Sequence, residues 1–157
     1  MSRRRNKTGT HSQDGPPVTA IIDEMASGRA EILTQLRNLT LALQDVEERT
    51  LRDVFFREWT PAYYVGRSQL FHVHNMRGAL RATMFVGANT LAPVIMESDE
   101  VSPEIHRLVA QTAERGGVGM MKVPLTALDQ VPGFMELVRV KWSFASRSRQ
   151  KAAQGPR

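Results

Sequence analysis

The residues best suited to chemistry are His72-Val73-His74. Alternate residues of a strand share a face, so on a strand both imidazoles point the same way. Two imidazoles so placed begin a divalent-metal site. The surrounding residues argue against one. With Asn75–Gly78 as a four-residue turn, Phe71 falls opposite Ala82, Val73 opposite Leu80 and His72 opposite Arg81. The apolar side then belongs to the core. The histidine side carries a guanidinium whose fixed charge repels a divalent cation. This predicts a polar, solvated or ligand-facing sheet surface and no metal site. Tyr63 and Tyr64, just after Pro61, are aromatics that either line a pocket or fill the core. The candidate ligand-binding residues are therefore Tyr63, Tyr64, His72, His74 and Arg81, with no catalytic residue singled out.

Other clusters read as structural. Glu97, Asp99, Glu100 and Glu104 lack the spacing and central glycine of a calcium loop. Two of them instead suit the start of a helix. Gly116-Gly117-Val118-Gly119 superficially resembles a phosphate loop. It follows a predicted helix and enters a predicted strand, the reverse of what phosphate binding at a helix N-terminus requires. No nucleophile elbow, P-loop or H-E-x-x-H motif is present. No cofactor is implied, and an enzyme would have to use His72, His74 or a carboxylate as its acid–base group.

The elements that position these residues follow from periodicity. Val18–Ala26 predicts a short helix stopped by Ser27-Gly28. From Arg29, apolar residues at Ile32, Leu33, Leu36, Leu39, Leu43 and Val46 give one helical stripe that continues through Leu51, Val54 and Phe55. Two helices joined near Gln44–Glu48 are expected there. Tyr63–Val65, Gln69–His74 and Leu80–Val86 predict an antiparallel meander with turns at Gly66-Arg67 and Asn75–Gly78. Helix returns near Asn89–Met96. It returns again at Ser102-Pro103-Glu104, where a capping Ser precedes a Pro and an acid, and runs toward Gly116-Gly117. Val118–Val123 predicts a last strand, and a short helical piece lies around Pro132, with order ending near Trp142. Helices, then strands, then helix and strand again predict an α+β fold: a small curved antiparallel sheet of about four or five strands, packed on one face by helices.

The chain has 157 residues and 41% hydrophobic content, enough for one domain. The absence of cysteine excludes disulfides, thiolate catalysis and cysteine-ligated metal. Its longest uncharged stretch, Ala82–Met96, is short and broken by Gly87 and Pro93, so no membrane span is expected. No membrane partner is expected either. No apolar run follows the basic opening residues, and a cytoplasmic protein is the expectation. Arg3, Arg4, Arg5 and Lys7 against Asp14 leave residues 1–16 at +3, and Arg147, Arg149, Lys151 and Arg157 put residues 143–157 at +4. The whole chain is +5, so its middle carries −2. By composition, residues 1–17 and 145–157 are basic tails too poor in apolar groups to order, flanking one domain at 18–144.

The order Trp59-Thr60-Pro61-Ala62-Tyr63-Tyr64-Val65-Gly66, the strands Leu70–Val73 and Leu80–Gly87, and the closing Leu137-Val138-Arg139-Val140-Lys141-Trp142 resemble the YdhG-like group of small bacterial domains of unknown function. The resemblance covers residues 28–142 and implies a compact frataxin-like α+β domain. It transfers no functional residue. The resulting expectation is a non-enzymatic binding module for a small molecule or protein partner. A weak nucleic-acid-associated protein acting through its basic tails is one alternative. Iron handling, which the resemblance brings with it, is another.

Overall fold

The computed structural model describes residues 15–155 apart from Gly78 and Ala113. Two helices, α1 (Val18–Asp23) and α2 (Ser27–Leu41), precede strands β1 (Val46–Asp53), β2 (Glu58–Val65), β3 (Ser68–Met76) and β4 (Ala79–Gly87). Helices α3 (Leu91–Glu97) and α4 (Pro103–Gln111) follow, then β5 (Glu114–Arg115), β6 (Val118–Leu125) and α5 (Val131–Gln154). The strands form one antiparallel sheet in the order β1-β2-β3-β4-β6-β5. The fold is α+β as expected, with six strands rather than four or five.

The extra strands have identifiable origins. Residues 46–53, read from their stripe as a second helix, are β1. Helix α2 ends at Leu41; Asp45 then turns the chain with a left-handed φ of 63°, and eight register pairs bind Val46–Asp53 to β2. Glu48 stands opposite Tyr63 on the core side and pairs with Arg37 of α2, Nε to Oε2 at 2.7 Å. An ion pair thus replaces the apolar residue that would have betrayed a strand by alternation. The other addition is the two-residue β5, hairpinned to β6 through Gly116 and Gly117, whose φ values of 59° and 78° suit glycine. These glycines therefore turn a hairpin, while α4 ends earlier, at Gln111. Ser27-Gly28 likewise opens α2 rather than closing a helix.

The apolar face of the sheet packs on α2 and α5. Ile32, Leu33 and Leu36 of α2 and Phe134, Met135, Leu137 and Val138 of α5 meet Tyr63, Phe71, Val73, Leu80, Ala82 and Met84 in one buried cluster. Helix α5 begins with Pro132 in its first turn and does not stop near Trp142. It continues to Gln154, through residues expected to be a disordered tail, with Ala145 buried. Good helix formers and the packing of Ala145 outweigh the basic composition there. The basic N-terminal tail lies mostly outside the described residues, apart from its last residues 15–17. Ser102 occupies the predicted cap of α4, but its hydroxyl makes no capping bond; its own N–H donates to Glu136 Oε2 at 3.0 Å instead. Among the described residues, no helix is long and apolar enough to cross a membrane.

The sheet is not continuously paired. β3 pairs with β2 over Ser68–His72 and with β4 over His72–Met76; opposite the Tyr63–Tyr64 step β3 carries one extra residue, Leu70, as a bulge. His72 is the one residue common to both ladders, opposite Ala62 on one side and Thr83 on the other. A split therefore opens on each side of β3, one at either end. Into the one beside β4 reaches Lys141 of α5, whose Nζ donates to the Phe85 carbonyl at 2.6 Å.

Candidate functional site

The face of the sheet away from the helices carries His72 and His74 on β3 and Arg81 and Thr83 on β4. Their register sets His74 against Arg81 and His72 against Thr83, a two-by-two block. The expected pairing of His72 with Arg81 is off by two residues, because the strands remain paired to Met76 and Ala79 and the turn is tighter than four residues. A shift of two preserves every face, so the four groups still share one surface.

That surface is less open than expected. His74 is only 3% exposed. The β1–β2 turn folds over it, with the Phe56 ring 5.2 Å from the imidazole. Its Nδ1 donates to Glu58 Oε1 at 3.0 Å, since a carboxylate can only accept, and its Nε2 lies 3.6 Å from Asp53 Oδ2. Both ring nitrogens thus face carboxylates. Asp53 is held in turn by the backbone N–H groups of Phe56 and Phe55, which with the nearby histidines keep its carboxyl below the usual carboxylate range.

His72 packs edge-on against His74 at 4.9 Å. Its Nδ1 donates to Gln69 Oε1 at 2.8 Å, and Gln69 Nε2 donates to the Tyr64 hydroxyl at 3.0 Å. This leaves the lone pair of His72 on Nε2. Burial, then the charge of His74, lower its pKa to about 4; Asp53 opposes, and Arg81 and Lys141 add to the lowering. Lys141, pushed down to about 8 by burial, has no carboxylate within ion-pairing distance among the described residues, and neither does Arg81. Arg81 Nε and Thr83 Oγ1 are buried with no hydrogen-bond partner.

Four of the five sequence candidates, Tyr64, His72, His74 and Arg81, are therefore brought to one face. Tyr63 is not. It lies on the core side, fully buried, stacked 4.9 Å from Phe71, with burial first and Glu48 second raising its hydroxyl well above the ordinary tyrosine range. Asp53, Glu58, Thr83 and Lys141 were not anticipated. Thr83 follows Arg81 by two on the same strand, and that alternation was the one signal able to find it. Among the described residues, no three His, Asp or Glu side chains converge to hold a metal ion. A separate cleft of ≈ 210 Å³ between β6 and helices α3 and α4, lined by Val86, Ala92, Val109 and Met121, includes none of these residues.

Compared with family models, with curated proteins and with solved structures, the chain has no match in any of the three.

Proposed function

We propose that this chain is a non-enzymatic binding module of the YdhG-like type, and that its outer sheet face takes a small anionic ligand. The observation that carries the reading is the pair of unpartnered buried donors, Arg81 Nε and Thr83 Oγ1, beside His72. A buried polar group without a partner costs stability, on the order of 1–3 kcal/mol. Such a group is therefore a reason to look for a ligand that completes it. Arg81 and Lys141 add positive charge with no carboxylate beside them, and a carboxylate or phosphate oxygen complements both charge and donors.

The same geometry disfavours an enzyme. His74 has both nitrogens facing carboxylates, and His72, with a pKa near 4, is a weak base at neutral pH. Iron at the two imidazoles is the weaker reading, since among the described residues no three His, Asp or Glu side chains converge to hold an ion.

The test is a titration of the full chain with inorganic phosphate and with simple carboxylates, followed by the His72 imidazole signals. A bound anion offsets the charges of Arg81 and Lys141, so the His72 titration midpoint should rise on binding. Arg81→Gln and Thr83→Val should each weaken binding. An unmoved His72 midpoint at millimolar anion, or affinity unchanged in both variants, overturns the reading.

A further inference from the structure

The β1–β2 turn exposes three consecutive apolar side chains. Val54 and Phe55 are each 84% exposed, and Phe56 is 40% exposed. The turn has a defined shape. Asp53 Oδ1 accepts the N–H groups of both Phe55 and Phe56 at 2.9 Å, Arg57 takes a left-handed φ of 53°, and Phe56 is seated on His74. The tip therefore holds Val54 and Phe55 out into solvent as a fixed convex wedge. Exposed apolar groups in sequence and without cover mark an interaction surface.

The fully exposed charges beside the wedge are basic, while the two acids next to it, Asp53 and Glu58, are partly buried. Arg52 and Arg57 flank it, and both are exposed. Arg77, also exposed, lies in the β3–β4 turn, which the meander brings to the same end of the sheet. None of the three has a carboxylate within ion-pairing distance among the described residues. Asp53 and Glu58 face His74. The described chain begins at Gly15, packed against the Trp59 ring on the adjoining stretch of β2, and the residues before it include Arg3, Arg4, Arg5 and Lys7.

We infer that this tip is an interfacial anchor for an anionic lipid bilayer, with Val54 and Phe55 entering between the headgroups and Arg52, Arg57 and Arg77 at the phosphate level. Apolar side chains on a basic surface are the pairing that holds proteins in the plane of such an interface. A convex wedge needs no matching groove in a bilayer, as it would in a protein partner. A single-stranded nucleic acid is a poorer occupant. Val54 offers no ring to stack on, and Phe55 and Phe56 stand edge-to-face at 85°, so they form no stacking platform. The inference departs from the expectation of no membrane partner, which rested on the lack of a spanning segment. Lying on a bilayer requires no span. The anchor's contact residues are not those of the Arg81–Thr83 site, although Asp53 and Phe56, which shape the turn, also meet His74.

The experiment is co-sedimentation of the full chain with vesicles of phosphatidylcholine alone and with the same vesicles carrying phosphatidylglycerol. Binding is expected only to the anionic vesicles, and should weaken with salt. The double variant Val54→Ser, Phe55→Ser should lose most of it while keeping its thermal midpoint, because both side chains are exposed. Replacing Arg52 or Arg57 by Gln should weaken binding about fivefold each. Phe55→Trp should add a tryptophan emission that shifts to the blue on anionic vesicles. Equal binding by the double variant would assign vesicle attraction to the basic tail and overturn the inference. An unshifted Phe55→Trp emission on bound protein would do the same, as would self-association or oligonucleotide binding that depends on the wedge in place of vesicle binding.

Discussion

The two faces of the sheet are buried by different means. On the core side, Phe71 sits between Tyr63 and Phe134 at ring distances of 4.9 and 5.1 Å, within the apolar cluster. On the other side, His74 is nearly as inaccessible, yet its surroundings are Asp53, Glu58, His72 and Phe56. The first face needs only the helices to exclude water. The second is closed by a hairpin turn and leaves two donors, Arg81 Nε and Thr83 Oγ1, without partners, against the single Tyr63 hydroxyl on the first. Removing matter from the first should leave a cavity, whereas on the second it should release or create unpaired charge.

Phe71→Ala should be the most damaging change. Truncating a fully buried aromatic costs about 3–5 kcal/mol, measurable by urea unfolding. A loss no greater than that of His74→Ala would mean that the faces do not differ in packing. His74→Ala should come next, at roughly 1–3 kcal/mol, because it strips Asp53 and Glu58 of their shared partner. It should also speed amide exchange in Val54–Arg57, a local effect that Phe71→Ala should not mimic. Thr83→Val should shift stability by at most about 1 kcal/mol and in the stabilising direction, because it deletes an unsatisfied hydroxyl at nearly constant shape. Clear destabilisation in buffer without small anions would mean that the hydroxyl has a partner.

The pH response should isolate His72. Its folded pKa of about 4 lies below the ordinary 6.5. Between those values the unfolded chain binds more protons than the folded one. His72 therefore costs nothing above pH 6.5, and stability falls as pH drops from 6.5 toward 4. His72→Asn should flatten the wild-type slope across that window. A slope that persists unchanged would place the titrating group elsewhere.

The meander from Tyr63 to Val86 could be read from the chain because Phe71 and Val73, then Leu80, Ala82 and Met84, alternate on the core side and Gly66 marks a turn. The assignment of faces at His72–His74 was equally accessible, since parity survives a two-residue slip in register. β1 was hidden because its core-facing Glu48 depends on Arg37, eleven residues earlier, and no local pattern records that pairing. The burial of His74 was hidden for a similar reason. Its cover, Phe56, comes from a turn eighteen positions back in the chain, and depth beneath another segment has no periodicity. Lys141 reads locally as one more surface lysine of a long helix; only the split in the sheet gives its ammonium the Phe85 carbonyl.

That split bears on how the molecule opens. With His72 as the only residue shared by the two ladders, the first half of β3 can leave with β1 and β2 while β4 and β6 keep their eight register pairs. The two backbone ladders are thus joined at one residue, while the apolar cluster beneath them spans both halves of the sheet. Partial opening at the seam would cost less than global unfolding. Residues 84–87 of β4, in mid-sheet by strand order, face the split on their β3 side and would keep only their β6 neighbours during such an opening.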